Sequence, residues 1–342
     1  MLNLIVLTLI SLVLRLINLG GLPTNIAAAE LNFIYPLRHL LNYNLFLARL
    51  PFVLIYTFTI PLTVILVKKF SPRTGFWTGV LLAVSPWHLV LSRRAQLPWQ
   101  LWLNLDLTKF LERFFDFLSP RYLFLTGDQT FGLTANSGLL LSITLPLLLV
   151  ALATAKKFDR LFWIAVKLII WGTVLASLQV YFGNIHALVL ALFGWTILLG
   201  WGIAQSLSKL PWLLFLFIPV FMYQSINSLH NFFIHSQKLA QSQWEVIYDP
   251  LTKYLIDNQS QYQRLVVIPK YGYPREYLDW YSHGRIDQNK LIIDQFKDQY
   301  LDPNTLYVGH INEQIKHQVL TTFKLPTGSI LLFAGSGPKI AY

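Results

Sequence analysis

The sequence of 342 residues has no cysteine, only two methionines, and 16 Asp and Glu against 27 Lys and Arg. The absence of cysteine excludes disulfides, thiolate nucleophiles and cysteine-ligated metal. Charge of either sign is scarce, at 13% of residues, where an ordinary soluble domain carries roughly a quarter. Carboxylates are scarcest at the front, where Glu30 is the only one in the first hundred residues. No internal repeat or low-complexity segment occurs, and no His/Asp/Glu cluster has metal-ligand spacing. There is no nucleophile elbow, and Gly335-Ser336-Gly337 is too short and too late for a phosphate loop. Neither a metal nor a cofactor is expected.

What is present is apolar: 54% hydrophobic residues and a mean hydropathy of +0.49. This composition belongs to a membrane-embedded chain. The net charge of +11 comes without a basic arm or a nucleic-acid motif. Anionic membrane lipid or a phosphate-bearing substrate is therefore the more economical partner, and no nucleic acid is expected. The N-terminus lacks a basic leader and a small-residue cleavage site, which reads as a retained anchor.

A helix needs about 20 apolar residues to cross a bilayer. The stretches that qualify are Met1–Gly20 (containing Arg15, which can snorkel), Leu50–Val67, Phe76–Leu91, Leu139–Ala155, Leu161–Val180, Ala187–Ala204 and Leu210–Asn227. About seven spans are thus expected. Lys167 lies within the fifth, where it should face the bundle or water. Tight loops carrying Lys68, Lys69 and Arg73, then Lys156, Lys157 and Arg160, then Lys209 all fall on one side. The positive-inside rule makes that side cytoplasmic. The N-terminus is then cytoplasmic, and Glu30 and the C-terminal part lie outside the cytoplasmic membrane. Arg38, Arg49, Arg93, Arg94, Lys109, Arg113 and Arg121 also fall outside, and a phosphate site would account for them.

Leu97–Leu118 is not a span. Gln100, Asn104, Thr108, Glu112 and Asp116 recur every fourth residue between faces of Trp, Leu and Phe. This pattern fits an amphipathic helix in the outer interface, with a helix buried against the bundle as the alternative. After His230 the pattern changes. Trp244–Asp257 and Glu276–Ser282 read as helices, and Leu265–Ile268, Leu306–Val308 and Ile330–Phe333 as strands. The expected architecture is an α-helical polytopic membrane domain over 1–229, with the interfacial helix near 97–118, followed by a small α/β extracytoplasmic domain over 230–342.

Ionisable residues at a membrane are functional candidates, because burying their charge is costly unless they are paired. Glu30 beside the double arginine Arg93-Arg94 suits transfer from a phosphate-linked donor: a carboxylate base activates the acceptor and guanidinium holds the phosphate. The structural alternatives are ordinary ones. Arg93 and Arg94 can anchor a helix end to lipid, Asp128 can stabilise a Gly-Asp turn, and His186 can be a hydrogen-bonded interfacial histidine.

Several stretches together resemble a known family. They are the first-span arginine, a Leu-Pro loop leading to Glu30, Ser85-Pro86-Trp87-His88 with Ser92-Arg93, and Phe117-Leu118-Ser119-Pro120-Arg121-Tyr122-Leu123-Phe124-Leu125-Thr126-Gly127-Asp128 before a Leu-Pro-Leu-Leu-Leu run. The chain resembles bacterial membrane glycosyltransferases of the GT-C fold, the protein mannosyltransferase and aminoarabinose transferase superfamily. The resemblance implies an inverting enzyme that takes a sugar from a polyprenyl-phosphate donor and passes it to an extracytoplasmic acceptor. It implies Glu30 as the base, Arg93 and Arg94 on the donor phosphate, and His88, Asp128 and His186 lining the groove. The chain departs from the pattern where the family's Asp-Glu pair reads Ala29-Glu30, where the first outer loop is shortened, and where spans are missing after Arg94. It also has alanine and leucine after His186. These departures motivate a second expectation, a catalytically inactive remnant that binds lipid phosphate or partners an active glycosyltransferase. A small transporter is disfavoured, since inverted repeats and paired broken helices are absent.

Overall fold

The structure, a computed structural model, describes residues 2–21, 26, 28–95, 106–127, 138–155, 158–179, 187–235, 244–270, 272–310, 312, 317–324 and 330–338. The chain divides into two compact units: Met1–Leu22 with Arg49–Ala240, and Pro23–Ala48 with Gln241–Tyr342. The segment carrying Glu30 thus groups with the C-terminal residues.

The first unit is helical. Its helices are α1 (Leu2–Leu16), then, after the short α2 (Ala28–Ile34) of the other unit, α3 (Leu45–Lys68), α4 (Pro72–Val84), α5 (Pro86–Ser92), α6 (Leu107–Leu118), α7 (Thr144–Thr154), α8 (Arg160–Ser177), α9 (Val189–Lys209) and α10 (Leu213–His230). Local chemistry sets their starts. Asn44 Oδ1 accepts the Phe46 amide at 2.9 Å ahead of α3, and Ser71 caps α4 with Pro72 in its first turn. Asp159 accepts the Phe162 amide at 2.8 Å to open α8.

Among the described residues, four helices are long and apolar enough to cross a membrane: α3, α8, α9, and α10 continued to His235. The pair α4–α5, bent by 59° at Ser85, makes a fifth if it is one span. The expected count of seven is thereby reduced. Helix α1 stops at Leu16, where the chain turns through Asn18 with φ of 51°. Helix α7 begins only at Thr144 and has 11 residues, or roughly 16 Å of rise against a hydrocarbon core of about 30 Å.

Helix α9 is the most enclosed of the four, and α4, α7 and α8 pack on it. Close approach there depends on glycine. A Cβ on Gly172 of α8 would lie 2.3 Å from the Ala191 backbone nitrogen, and one on Gly200 of α9 would lie 2.9 Å from that of Thr78. Lys167 is exposed, on the same side of α8 as the exposed Trp163, Ile170 and Trp171. The bundle therefore does not take it in. Helix α6 forms the later part of the amphipathic helix expected over 97–118. Asp106 caps it, Leu107, Leu111 and Phe115 form an exposed apolar row, and Arg113 and Phe117 are buried. The part of that prediction over 97–105 lies outside the described residues.

The second unit carries a mixed five-stranded sheet of order β2-β1-β3-β5-β4. The strands are β1 (Arg264–Val267), β2 (Leu291–Ile293), β3 (Thr305–His310), β4 (His317–Lys324) and β5 (Ile330–Pro338). Strand β1 runs parallel to β2 and β3, while β5 is antiparallel to β3 and β4. Helix α11 (Tyr248–Asn258) precedes β1, and α12 (Pro274–Ser282) is the crossover from β1 to β2. Leu265, Val266, Leu306, Tyr307, Val308, Phe333 and Ala334 form the buried centre. The three strands and two helices expected in this part are all present. Strands β2 and β4 were not expected.

Candidate functional site

In the helical unit, the residues singled out at the end of the third apolar stretch form a network around the C-terminal end of α1. Pro86 has no N–H, so it cannot donate to the Leu82 carbonyl four residues earlier, and α4 ends in a bend. Arg15 supplies the missing donor: its Nη2 reaches the Leu82 carbonyl at 3.3 Å and its Nη1 the Ala83 carbonyl at 3.4 Å. Nη1 also donates to the Ser11 carbonyl at 2.9 Å and to the Ser11 hydroxyl. The expected snorkelling of Arg15 is therefore not found. The side chain is fully buried and turned onto α4.

His88, in the turn after the bend, completes this connection. Its Nδ1 faces Arg15 Nη2 at 2.5 Å, and its Nε2 faces Thr59 Oγ1 at 2.9 Å. Guanidinium only donates, so Nδ1 accepts. Thr59 gives its own hydrogen to the Tyr56 carbonyl at 2.6 Å, so Nε2 carries the ring proton and donates to Thr59. The rings of Tyr56, Trp87 and Phe193 stand edge-on around the imidazole.

Arg93, at the end of α5, closes α1 from the other side. A helix leaves its last carbonyls without intrahelical donors, and cations are favoured there. Arg93 Nη1 donates to the Arg15 carbonyl at 2.7 Å and the Leu14 carbonyl at 3.4 Å. Its Nη2 donates to the Ile17 and Asn18 carbonyls at 2.7 and 2.9 Å. Phe232 and Phe233 lie 5.5 and 5.4 Å from the guanidinium carbon. Arg49 adds a bond to the Leu19 carbonyl at 3.2 Å. Arg94 is buried next to Arg93.

No protein-family model, curated protein or solved structure matches the chain.

The structure thus brings His88 and Arg93 together with Arg15, which the sequence reading lets snorkel. Two signals pointed to it: Ser11, one helical turn earlier, and Pro86, which strips a donor from α4. Glu30 lies in the first turn of α2, in the other unit, and is fully buried. Asp128 and His186 lie outside the described residues. The cations expected on the outer side, for which a phosphate site was the expected account, have local partners in several cases. Arg49 and Arg93 meet carbonyls, Arg113 donates to the Gln179 carbonyl, and Lys109 lies 3.6 Å from Asp106. Among the described residues no group of three or more His, Asp or Glu could hold a metal ion.

In the second unit Arg38 completes that set by pairing with Asp279 of α12 at 2.9 Å. The Tyr35 hydroxyl bonds the same carboxylate, and the Arg38 guanidinium lies 4.2 Å from the Tyr35 ring centre. Burial first, then the Asp279 charge and hydrogen bond, push the Tyr35 hydroxyl up to about 12. Tyr43 stacks on His283 with ring centres 5.5 Å apart, and Tyr277 donates to the Ile26 carbonyl at 2.8 Å. The segment 26–43 is thus fastened to α12 at several points.

Proposed function

We propose that this chain is a shortened glycosyltransferase-type membrane protein of GT-C architecture, acting on a sugar carried by polyprenyl phosphate on the outer side of the cytoplasmic membrane. The observation that carries the reading is the convergence of Arg15, His88 and Arg93. The first-span arginine, the Ser-Pro-Trp-His bend and the Ser-Arg-Arg end, on which the resemblance rests, form one connected network in the helical unit. In this reading Glu30 takes the proton of the acceptor hydroxyl. The acceptor oxygen then forms a bond to the anomeric carbon while the bond from that carbon to the phosphate oxygen breaks, with inversion. The leaving polyprenyl phosphate is held by Arg93 and Arg94.

A second reading has its own support. Arg93 already gives its Nη hydrogens to carbonyls, and Glu30 is fully buried. Both features suit a remnant that binds lipid-linked sugar, or partners an active transferase, without transferring it. Purified protein incubated with labelled lipid-linked sugar and a mixed acceptor extract distinguishes them. The first reading predicts transfer that falls at least about 100-fold in Glu30→Gln, the lower end of what a positioned base contributes. The second predicts binding with no transfer.

A further inference from the structure

Helix α8 is one of the four helices long and apolar enough to cross a membrane, and one charge stands in the middle of its exposed side. Trp163, Lys167, Trp171 and Leu175 are all exposed and recur every fourth residue, with Ile170 beside them. Residues four apart on a helix form one ridge, the surface that enters the groove of another helix. Among the described residues Lys167 has no hydrogen bond and no ion pair.

The depth of this charge narrows what can meet it. Helix α8 runs over 18 residues, Arg160–Ser177, and at 1.5 Å per residue Lys167 lies about 2 Å from its midpoint. In a hydrocarbon core of about 30 Å centred on the helix, the Lys167 Cα is about 13 Å from the nearer boundary. A lysine stem reaches about 6 Å, little more than one helical turn, so the ammonium stops well short of the headgroups. Snorkelling serves cations near helix ends, whereas a cation at mid-span is paired or faces water. A second copy of this chain does not supply the pair. No Asp or Glu occurs in α1, α3, α4, α5, α7, α8, α9 or α10, and two copies joined through α8 would bring Lys167 towards Lys167. The ridge therefore calls for a carboxylate at the same depth on another chain. Trp163 and Trp171, one turn before and after Lys167, are the kind of aromatic anchors that shield such a pair from water.

We infer that the exposed ridge of α8 is the docking face for a membrane-spanning helix of a different protein, one that carries Asp or Glu near the middle of its span and pairs it with Lys167. The inference rests on α8 crossing the membrane and is independent of the glycosyltransferase-type reading.

The test uses the full chain, fluorescently labelled and reconstituted in phosphatidylcholine vesicles, with acceptor-labelled membrane-spanning peptides as probes. One probe is a leucine-rich helix with Glu at its centre, and two others carry Leu or Lys there. Energy transfer reports association. The Glu peptide is expected to associate about tenfold more strongly than the Leu peptide, within the range of polar contacts between membrane helices. Lys167→Met should bring that ratio to one, and its side chain lies on the exposed side of α8, where the substitution leaves folding intact. Lys167→Glu should reverse the preference in favour of the Lys peptide. Equal association of the Glu and Leu peptides with the unaltered chain overturns the inference, as does a preference that survives Lys167→Met. Two further results overturn it by naming another occupant. Enrichment of added phosphatidylglycerol around the chain that depends on Lys167, without preference among the peptides, gives the charge to an anionic lipid. Self-association of the chain that disappears in Lys167→Met, again without peptide preference, gives the face to a second copy.

Discussion

Arg15 and Arg93 show what a buried cation does when backbone carbonyls are short of donors. Each guanidinium presents planar, forked N–H groups that reach several carbonyls at once, and lysine offers only a point charge. Arg93→Lys should therefore lose most of the four-carbonyl contact and lower stability by about 3 kcal/mol or more, the cost of breaking a buried charged network. Thermal unfolding in detergent checks this, and a melting temperature within a degree of the unaltered protein would contradict it. Arg15 was legible as an unusual residue but not as a structural one, because its carbonyl partners Leu82 and Ala83 lie more than 60 positions away. Tyr35 gives a residue-scale prediction in the other unit. Its folded-state value is raised to about 12, against about 10 for a free tyrosine. The contribution of this contact is therefore complete below pH 10 and is lost as the pH climbs from 10 through 12. Denaturation followed at pH 9 and pH 12 should show a drop that Tyr35→Phe reduces.

At the scale of elements, hydropathy located α3, α8, α9 and α10, because a long apolar run has few alternatives to a buried or spanning helix. It overstated α1 and α7, whose ends are set by a left-handed turn at Asn18 and by the late start at Thr144. Strand β2 escaped notice because three residues give no measurable alternation. Strand β4 escaped because Thr321, Thr322 and Lys324 dilute its apolar pattern, and its pairing with β5 is interrupted by register shifts. Helix contacts give a sharper expectation than helix positions. Gly172→Leu would drive side-chain atoms into the Ala191 backbone of α9. It should cost about 1–3 kcal/mol, as overpacking does elsewhere, whereas Trp171→Leu, on the exposed side of α8, should cost much less. Comparing the two variants by thermal unfolding separates close packing from a general intolerance of α8 to substitution.

At the scale of the whole molecule, the chain is not a membrane part followed by a soluble part in simple succession. Pro23–Ala48 groups with the C-terminal sheet, and no composition signal marked that stretch, since it lies between two apolar runs. The ties that fasten it, Arg38 to Asp279 and Tyr277 to the Ile26 carbonyl, join residues more than 200 positions apart. The proposed roles are divided in the same way. The residues of the motif-bearing bend are in the helical unit, while Glu30 is in the other. The measurement that tests the account most directly is transfer of labelled sugar from polyprenyl phosphate by the purified protein, run in parallel with Glu30→Gln. The account predicts transfer by the unaltered chain and a loss of about 100-fold or more in the variant. Equal transfer by both proteins would contradict it.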